Sequence, residues 1–176
     1  MGNDETSAAV VCDAGPIIHL DQLDCLDLLA DFRRVVVPQS VWKEIETHRP
    51  SALARQDLNL ERVSVDAPAR YELTALFRLY SLDAGEAEAL LFMGSHRDWI
   101  LLTDDAAARM AATQLAYEVH GTIGIVIRAI RRGLRSAADV IALLEAIPDR
   151  SSLYIKRSLL REIVLSVRES TRNEYP

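Results

Sequence analysis

The sequence predicts an α/β fold, a three-layer α/β/α sandwich with a mostly parallel central sheet. Three observations carry this. Short apolar, β-branched runs recur at Ala8–Cys12, Arg34–Pro38 and Trp99–Thr103. Each reads as a strand buried on both faces. Each is followed by a stretch with helical spacing of apolar residues, the alternation that produces parallel sheets. The chain has 176 residues, 49% of them hydrophobic, enough for one domain with a full core.

Taken in order, residues 1–7 are polar and acidic and are expected to be a disordered tail. Ala8–Cys12 is the first strand. It ends in Asp13, and Pro16 then fits a first helical position, with Gly15 as its cap. Ile17, Leu20, Leu23, Leu26, Leu28 and Leu29 continue the pattern to about Phe32. Asp21, Asp24, Asp27 and Asp31 fall on the other, solvated face. His19, near the helix start, reads as structural. Arg34–Pro38 is the second strand, and Ser40 is a candidate cap for the helix Val41–Thr47. Glu44 lies on that helix at the border of its apolar face. Residues 48–60 are polar and mixed, a loop or frayed helix, and Arg62–Val65 alternates as a short edge strand.

Ala69–Tyr80 is expected to be helical. Asp83 with Glu86 three residues on forms a capping-box pattern at the start of a helix that runs to about His96. Glu88 is expected at the surface. Trp99–Thr103 is the third strong strand, ending in Asp104-Asp105, and Ala106–Tyr117 follows as a helix. Glu118–His120 is a short strand, and Ile123–Arg132 a helix stopped by Gly133. Ser136 caps Ala137–Ala146, which Pro148 ends. Tyr154–Ser170 is a last amphipathic helix, and residues 171–176 are a loose tail. The expected organisation is one domain, with its main body at residues 8–135 and the C-terminal helices at 136–170 packed on it.

Composition narrows the function. The two cysteines, Cys12 and Cys25, lack CxxC spacing, so a disulfide framework or zinc site is not expected and a reducing, cytoplasmic setting fits. No apolar run reaches the ~20 residues of a membrane span. The net charge of −6 is unevenly spread: residues 1–105 hold 19 acids and 9 bases, residues 106–176 hold 7 acids and 11 bases. An acidic first part beside a basic last part suits a carboxylate site with a separate phosphate-attracting surface. There is no GxGxxG, Walker A, GxSxG or HExxH pattern.

The acids are placed at strand ends. In open α/β sheets, sites lie at the carboxyl ends of strands, where Asp13 and Asp104-Asp105 stand. Glu86 begins a helix in the same loop layer, and Glu44 follows the second strand. Such carboxylates repel one another unless a hard divalent cation joins them. An oxygen-only set selects Mg²⁺ or Mn²⁺. Asp104 and Asp105 both fit, as ligand or as cap of the following helix.

These residues, in order, resemble the PIN domain, in its VapC-like branch. The resembling stretches are Val11–Ile18, Val36–Ile45, Leu82–Ala89, Leu101–Asp105 and Gly121–Gly124. The resemblance implies a Rossmann-like sheet and a metal-dependent endoribonuclease, often the toxin of a type II toxin–antitoxin pair. It implies catalytic acids at Asp13, Glu44, Glu86 and one of Asp104 and Asp105. Mg²⁺ or Mn²⁺ would be held by Asp13, Glu86 and Asp104/Asp105, with Glu44 assisting or orienting water. Glu86 stands where the family commonly has Asp. RNA is the implied substrate, and a small antitoxin and a homodimer are implied partners. Arg128, Arg131, Arg132 and Arg135 recur at helical spacing as candidate RNA-phosphate contacts, and a solvated helix face accounts for the same spacing. The rival readings are a catalytically inactive PIN-fold interaction module, and a metal-dependent phosphatase or DNA nuclease using the same carboxylates.

Overall fold

The computed structural model describes residues 8–65 and 71–173. The expectations for residues 1–7, for the start of the helix at Ala69, and for residues 174–176 lie outside these. Five strands form one parallel sheet: β1 (Ala9–Cys12), β2 (Arg34–Pro38), β3 (Leu60–Val63), β4 (Ile100–Leu102) and β5 (Glu118–His120). Their order is β3-β2-β1-β4-β5, and every pairing is parallel. The α/β expectation holds.

Strand periodicity divides the core. Val10, Cys12, Val35, Val37 and Leu102 face one apolar layer, while Ala9, Val11, Val36 and Leu101 face the other. Both layers are filled, which is why these strands read as unbroken apolar runs. The first layer is covered by α1 (Ala14–Gln22), α2 (Gln39–His48), α7 (Thr122–Arg131), α8 (Ala137–Arg150) and α9 (Arg157–Asn173). Val140, Leu144, Ile147, Leu160, Val164 and Val167 place the C-terminal helices in that same core. The second layer is covered by α4 (Tyr71–Tyr80), α5 (Ala84–Met93) and α6 (Ala106–Gln114).

Several elements differ from the sequence expectation. The first helix stops at Gln22. Asp24 takes a left-handed conformation, φ 54°, and residues Leu26–Asp31 form a separate 3₁₀ segment. The four aspartates of this region are therefore not one solvated face. Asp21 pairs with Arg49 at 2.8 Å, Asp27 with Arg135 at 2.6 Å, and Asp24 with Arg150. Asp31 is held by both Arg128 and Arg132, with side-chain exposure of only 9%. A short helix, α3 (Pro50–Leu53), follows α2, and β3 begins at Leu60, two residues earlier than expected, opposite Val35. Pro148 lies inside α8, which continues to Arg150. Residues Ser151–Lys156 are non-helical, so α9 starts at Arg157, and it runs on to Asn173.

The chain leads from β1 to β2 and β3 on one side, then crosses so that β4 and β5 lie on the other. The β1/β4 boundary is thus the topological switch point, where open α/β sheets form their crevice. Cys12 pairs with Leu102 there, and the Asp13 amide donates to the Leu102 carbonyl at 2.9 Å. Asp13 and the Thr103-Asp104-Asp105 turn leave the sheet side by side.

Candidate active site

Asp13 is buried, at 8% exposure, and is held by two hydrogen bonds. Its Oδ1 accepts from the Ala14 amide at 2.8 Å and its Oδ2 from the Thr103 hydroxyl at 2.8 Å. The first of these corrects the sequence reading: α1 starts at Ala14, Asp13 is its N-cap, and Pro16 is the third helical residue. Pro16 needs no hydrogen-bond partner anywhere in the first turn, so its presence did not fix the start. Burial is the main influence on the Asp13 carboxyl and raises its pKa to about 6. The two hydrogen bonds oppose this, while the charges of Glu44 and Asp83 add to it.

Glu44 is half-buried on α2. Burial, then the charge of Asp83, raises its pKa, with His48 opposing. The start of α2 is fixed from outside. Ser40 is not the cap; its amide and hydroxyl donate to the Glu88 carboxylate at 2.8 and 2.6 Å. Glu88 thus ties α5 to α2 rather than standing free at the surface. The helices are close enough that a Cβ on Gly85 would lie 2.9 Å from Val41 Cγ2. This docking sets where Glu44 stands relative to α5.

Glu86 is anchored by the expected capping box. The Asp83 amide donates to Glu86 Oε2, and the Glu86 amide to Asp83 Oδ1, both at 2.9 Å. Burial raises the Glu86 pKa to about 7; the capping hydrogen bond opposes, and the charges of Asp83, Asp105 and Asp13 raise it further. The charges of Asp13 and Asp105 therefore both reach Glu86.

The adjacent acids after β4 separate. Asp105 caps α6, accepting from the Ala108 amide at 2.8 Å, and its own amide donates to Thr103 Oγ1. Its charge is one of those acting on Glu86. Asp104 points to the other side. Its Oδ1 accepts from the Thr122 amide at 2.8 Å, and its Oδ2 contacts the Thr122 hydroxyl at 2.6 Å and His19 Nδ1 at 2.7 Å. Burial alone would raise the Asp104 pKa, but these hydrogen bonds outweigh it and hold the group below the usual carboxylate range. Asp104 is thereby occupied in joining β4 to α1 and α7.

Among the described residues no three His, Cys, Asp or Glu side chains form a ready-made metal cage. The donor set still fits a hard cation. Asp13, Glu86, Glu44 and Asp105 offer only carboxylate oxygen, and repulsion within this set adds to the raised pKa values of Asp13, from Glu44, and of Glu86, from Asp105 and Asp13. A divalent ion would reverse that repulsion.

Three of the four arginines expected to meet RNA phosphates have acidic partners within the fold. Arg128 is buried against Asp31, with its guanidinium 4.6 Å from the centre of the Phe32 ring. Arg132 shares Asp31, Arg135 pairs with Asp27, and Arg131 lines an apolar groove between α7 and α9. Asp31 and Asp27 of the 3₁₀ segment thus receive Arg128, Arg132 and Arg135. Residues the sequence reading passed over are Thr103, which orients Asp13, and Thr122, which together with His19, read as structural, holds Asp104. Thr103 had a signal in its position at a strand end two residues before Asp105. Asp83, read only as a cap, also acts on Asp13, Glu44 and Glu86 as a charge.

None of the curated proteins compared with the chain matches it. The sequence profile described as PIN domain matches residues 9–169. That span takes in all five strands, the switch point and the carboxylates after β1 and β4, and the chain belongs to the PIN-domain family.

Proposed function

We propose that this protein is a Mg²⁺- or Mn²⁺-dependent endoribonuclease that hydrolyses RNA phosphodiester bonds, and that it acts as the toxin of a type II toxin–antitoxin pair. PIN domains are typically nucleases, which supports hydrolysis in general. The observation that carries the finer reading is that Asp13 and Asp105, which follow β1 and β4 at the switch point, both act as charges on Glu86. Carboxylates whose charges meet at the end of a parallel sheet suit a cation that binds phosphate.

On this reading Asp13, Glu86 and Asp105 hold the ion. When bound, it neutralises charge developing on the attacked phosphate and makes a water more acidic. Thr103 and the Ala14 amide fix both oxygens of Asp13, so its orientation is set before substrate arrives. Glu44, half-buried with a raised pKa, orients the attacking water and accepts its proton at the carboxylate. Asp104 supports the site by holding α1 and α7 in place. A cytoplasmic location, a small antitoxin and a homodimer belong to the same proposal. Among the described residues no helix is long and apolar enough to cross a membrane.

The test is cleavage of structured and unstructured RNA with Mg²⁺ or Mn²⁺, alongside Asp13→Ala. The proposal expects cleavage by the unaltered protein and loss of at least about 100-fold in the variant, in the range found when a central electrostatic group is removed. Equal cleavage by Asp13→Ala overturns it. DNA and phosphate esters in the same assay separate the phosphatase and DNA-nuclease rivals.

A further inference from the structure

Beside the switch point lies a recess of about 330 Å³ that the carboxylate chemistry does not use. Asp104 and Gly121 lie on its rim, so it adjoins the turn that carries the candidate site. Its opposite wall is the segment between α8 and α9, with Leu153, Tyr154 and Ile155. That segment is non-helical but well anchored. Gln22 Oε1 accepts from the Ser152 amide at 2.7 Å and from the Ser151 and Ser152 hydroxyls at 3.1 Å each. Leu153 and Ile155 turn inward and pack against the main core. Tyr154, between them, is turned out, with 87% of its surface exposed.

With its backbone pinned, the Tyr154 ring needs little further ordering to meet a flat partner. Among the described residues it is the most exposed of the large apolar side chains and the one aromatic in that set. Charge next to it is positive. Lys156 and Arg157 follow directly and are exposed, and Arg109 forms part of the recess wall. The one acid on the rim, Asp104, is turned into His19 and Thr122. A flat ring beside a recess, with cations next to it in sequence and in the recess wall, suits the stacking of an unpaired base and attraction of its phosphate.

We infer that the Tyr154 recess is a subsite for one unpaired nucleobase of the RNA, flanking the position of cleavage. The inference rests on the ribonuclease reading. A base inside a duplex has no free face to offer the ring, so a fully paired strand is the control for the subsite.

The experiment uses the full chain with Asp13→Asn to prevent cleavage, in Mn²⁺, and a labelled single-stranded RNA beside its fully paired duplex. Binding is followed by fluorescence anisotropy for Tyr154, Tyr154→Phe and Tyr154→Ala, and cleavage of the same strand is measured with Asp13 intact. Loss of one stacked base is expected to weaken single-strand binding about 5- to 100-fold in Tyr154→Ala. Tyr154→Phe should bind within about twofold, and duplex binding and thermal melting should not change. If the unaltered protein binds and cleaves the strand and Tyr154→Ala does both equally well, the subsite is overturned and the ribonuclease reading stands. If no RNA is bound or cut by the unaltered protein, both fall. Unchanged RNA affinity with an altered oligomeric state in sedimentation assigns Tyr154 to a protein contact and overturns the subsite.

Discussion

Replacing Asp13 by asparagine should stabilise the metal-free protein at neutral pH, although it removes the acid at the centre of the candidate site. The folded carboxyl titrates near pH 6 rather than 3.8. Between those values the folded state keeps a proton that the unfolded chain has released, so folding weakens as the pH rises. The stability is whole below about pH 4 and is lost through pH 6. About two pH units at ~1.4 kcal/mol each place the cost of the buried charge at up to about 3 kcal/mol above pH 7. Asparagine has the same shape. Its Oδ1 can keep the Ala14 amide and its Nδ2 can donate to Thr103 Oγ1, so little packing is lost. Urea unfolding in the presence of a chelator, at pH 4, 6 and 8, measures the difference. Asp13→Asn should unfold at higher urea than the unaltered protein at pH 8, and the two curves should converge toward pH 4. Because the quantity is a difference between two proteins, Asp104, whose lowered pKa acts in the opposite sense below its ordinary value, cancels. Mn²⁺ should invert the order: at 100 times its Kd it would add about 2.7 kcal/mol to the unaltered protein and little to the variant. A variant no more stable than the unaltered protein at pH 8, or a gap that does not change with pH, would refute the reasoning.

Thr103→Val removes the hydroxyl that donates to Asp13 Oδ2 within a fully buried setting. A hydrogen bond to a charged acceptor contributes about 1.5–3 kcal/mol, so the acid limb of the cleavage profile should move up by about one to two pH units; an unmoved limb rejects this role. Asp105→Asn should abolish Mn²⁺ binding measured by calorimetry while melting changes little. Asp104→Asn should do the reverse, lowering stability by about 1.5–3 kcal/mol through weakened bonds to His19 and Thr122 and leaving Mn²⁺ binding in place; loss of binding in both would reject the division between them. Gly121→Ala would put a Cβ 2.6 Å from Asp104 Oδ1 and 2.7 Å from Arg109 Nη2. Overpacking of this kind costs about 1–3 kcal/mol, readable as a fall in melting temperature, and an unchanged melt would show that the turn yields freely.

How much was legible in the sequence follows from how local each signal is. The parallel sheet was, because strands filled on both faces, such as Val35–Val37, cannot alternate and so announce themselves. The capping box of Asp83 and Glu86 was, because it is complete within four residues. The four aspartates after α1 were misread for a definite reason. Helical spacing was carried through Asp24, where the backbone turns left-handed, so the phase assigned to Asp27 and Asp31 belonged to a helix that had already ended. The same break bears on the arginines of α7. Their shared face was visible at three-to-four spacing, but which element that face meets depends on the 3₁₀ segment of Leu26–Asp31, whose existence the periodicity concealed. Tyr154 was hidden similarly, counted as the first turn of α9 when Gln22, 132 positions away from it in sequence, holds its segment extended.

The choice between Asp104 and Asp105 shows where local sequence stops being sufficient. Both follow β4, both precede α6, and both side chains are equally able to cap a helix or bind a cation. In an extended stretch, neighbouring side chains point to opposite sides, and Asp105 is extended, at φ −71° and ψ 135°. One of the two must therefore face α1 and α7 and the other the carboxylates of β1 and α5. Thr122 and His19 decide which: their donors take both oxygens of Asp104 and leave Asp105 on the side of Asp13 and Glu86. Those donors come from positions 18 residues onward and 85 residues back, and only the parallel order of β1, β4 and β5 brings them to one edge. Asp13 was legible as a candidate from its place at the end of β1; Asp105, the candidate on the same side, became distinguishable from Asp104 only once the hydrogen bonds of Asp104 were accounted for.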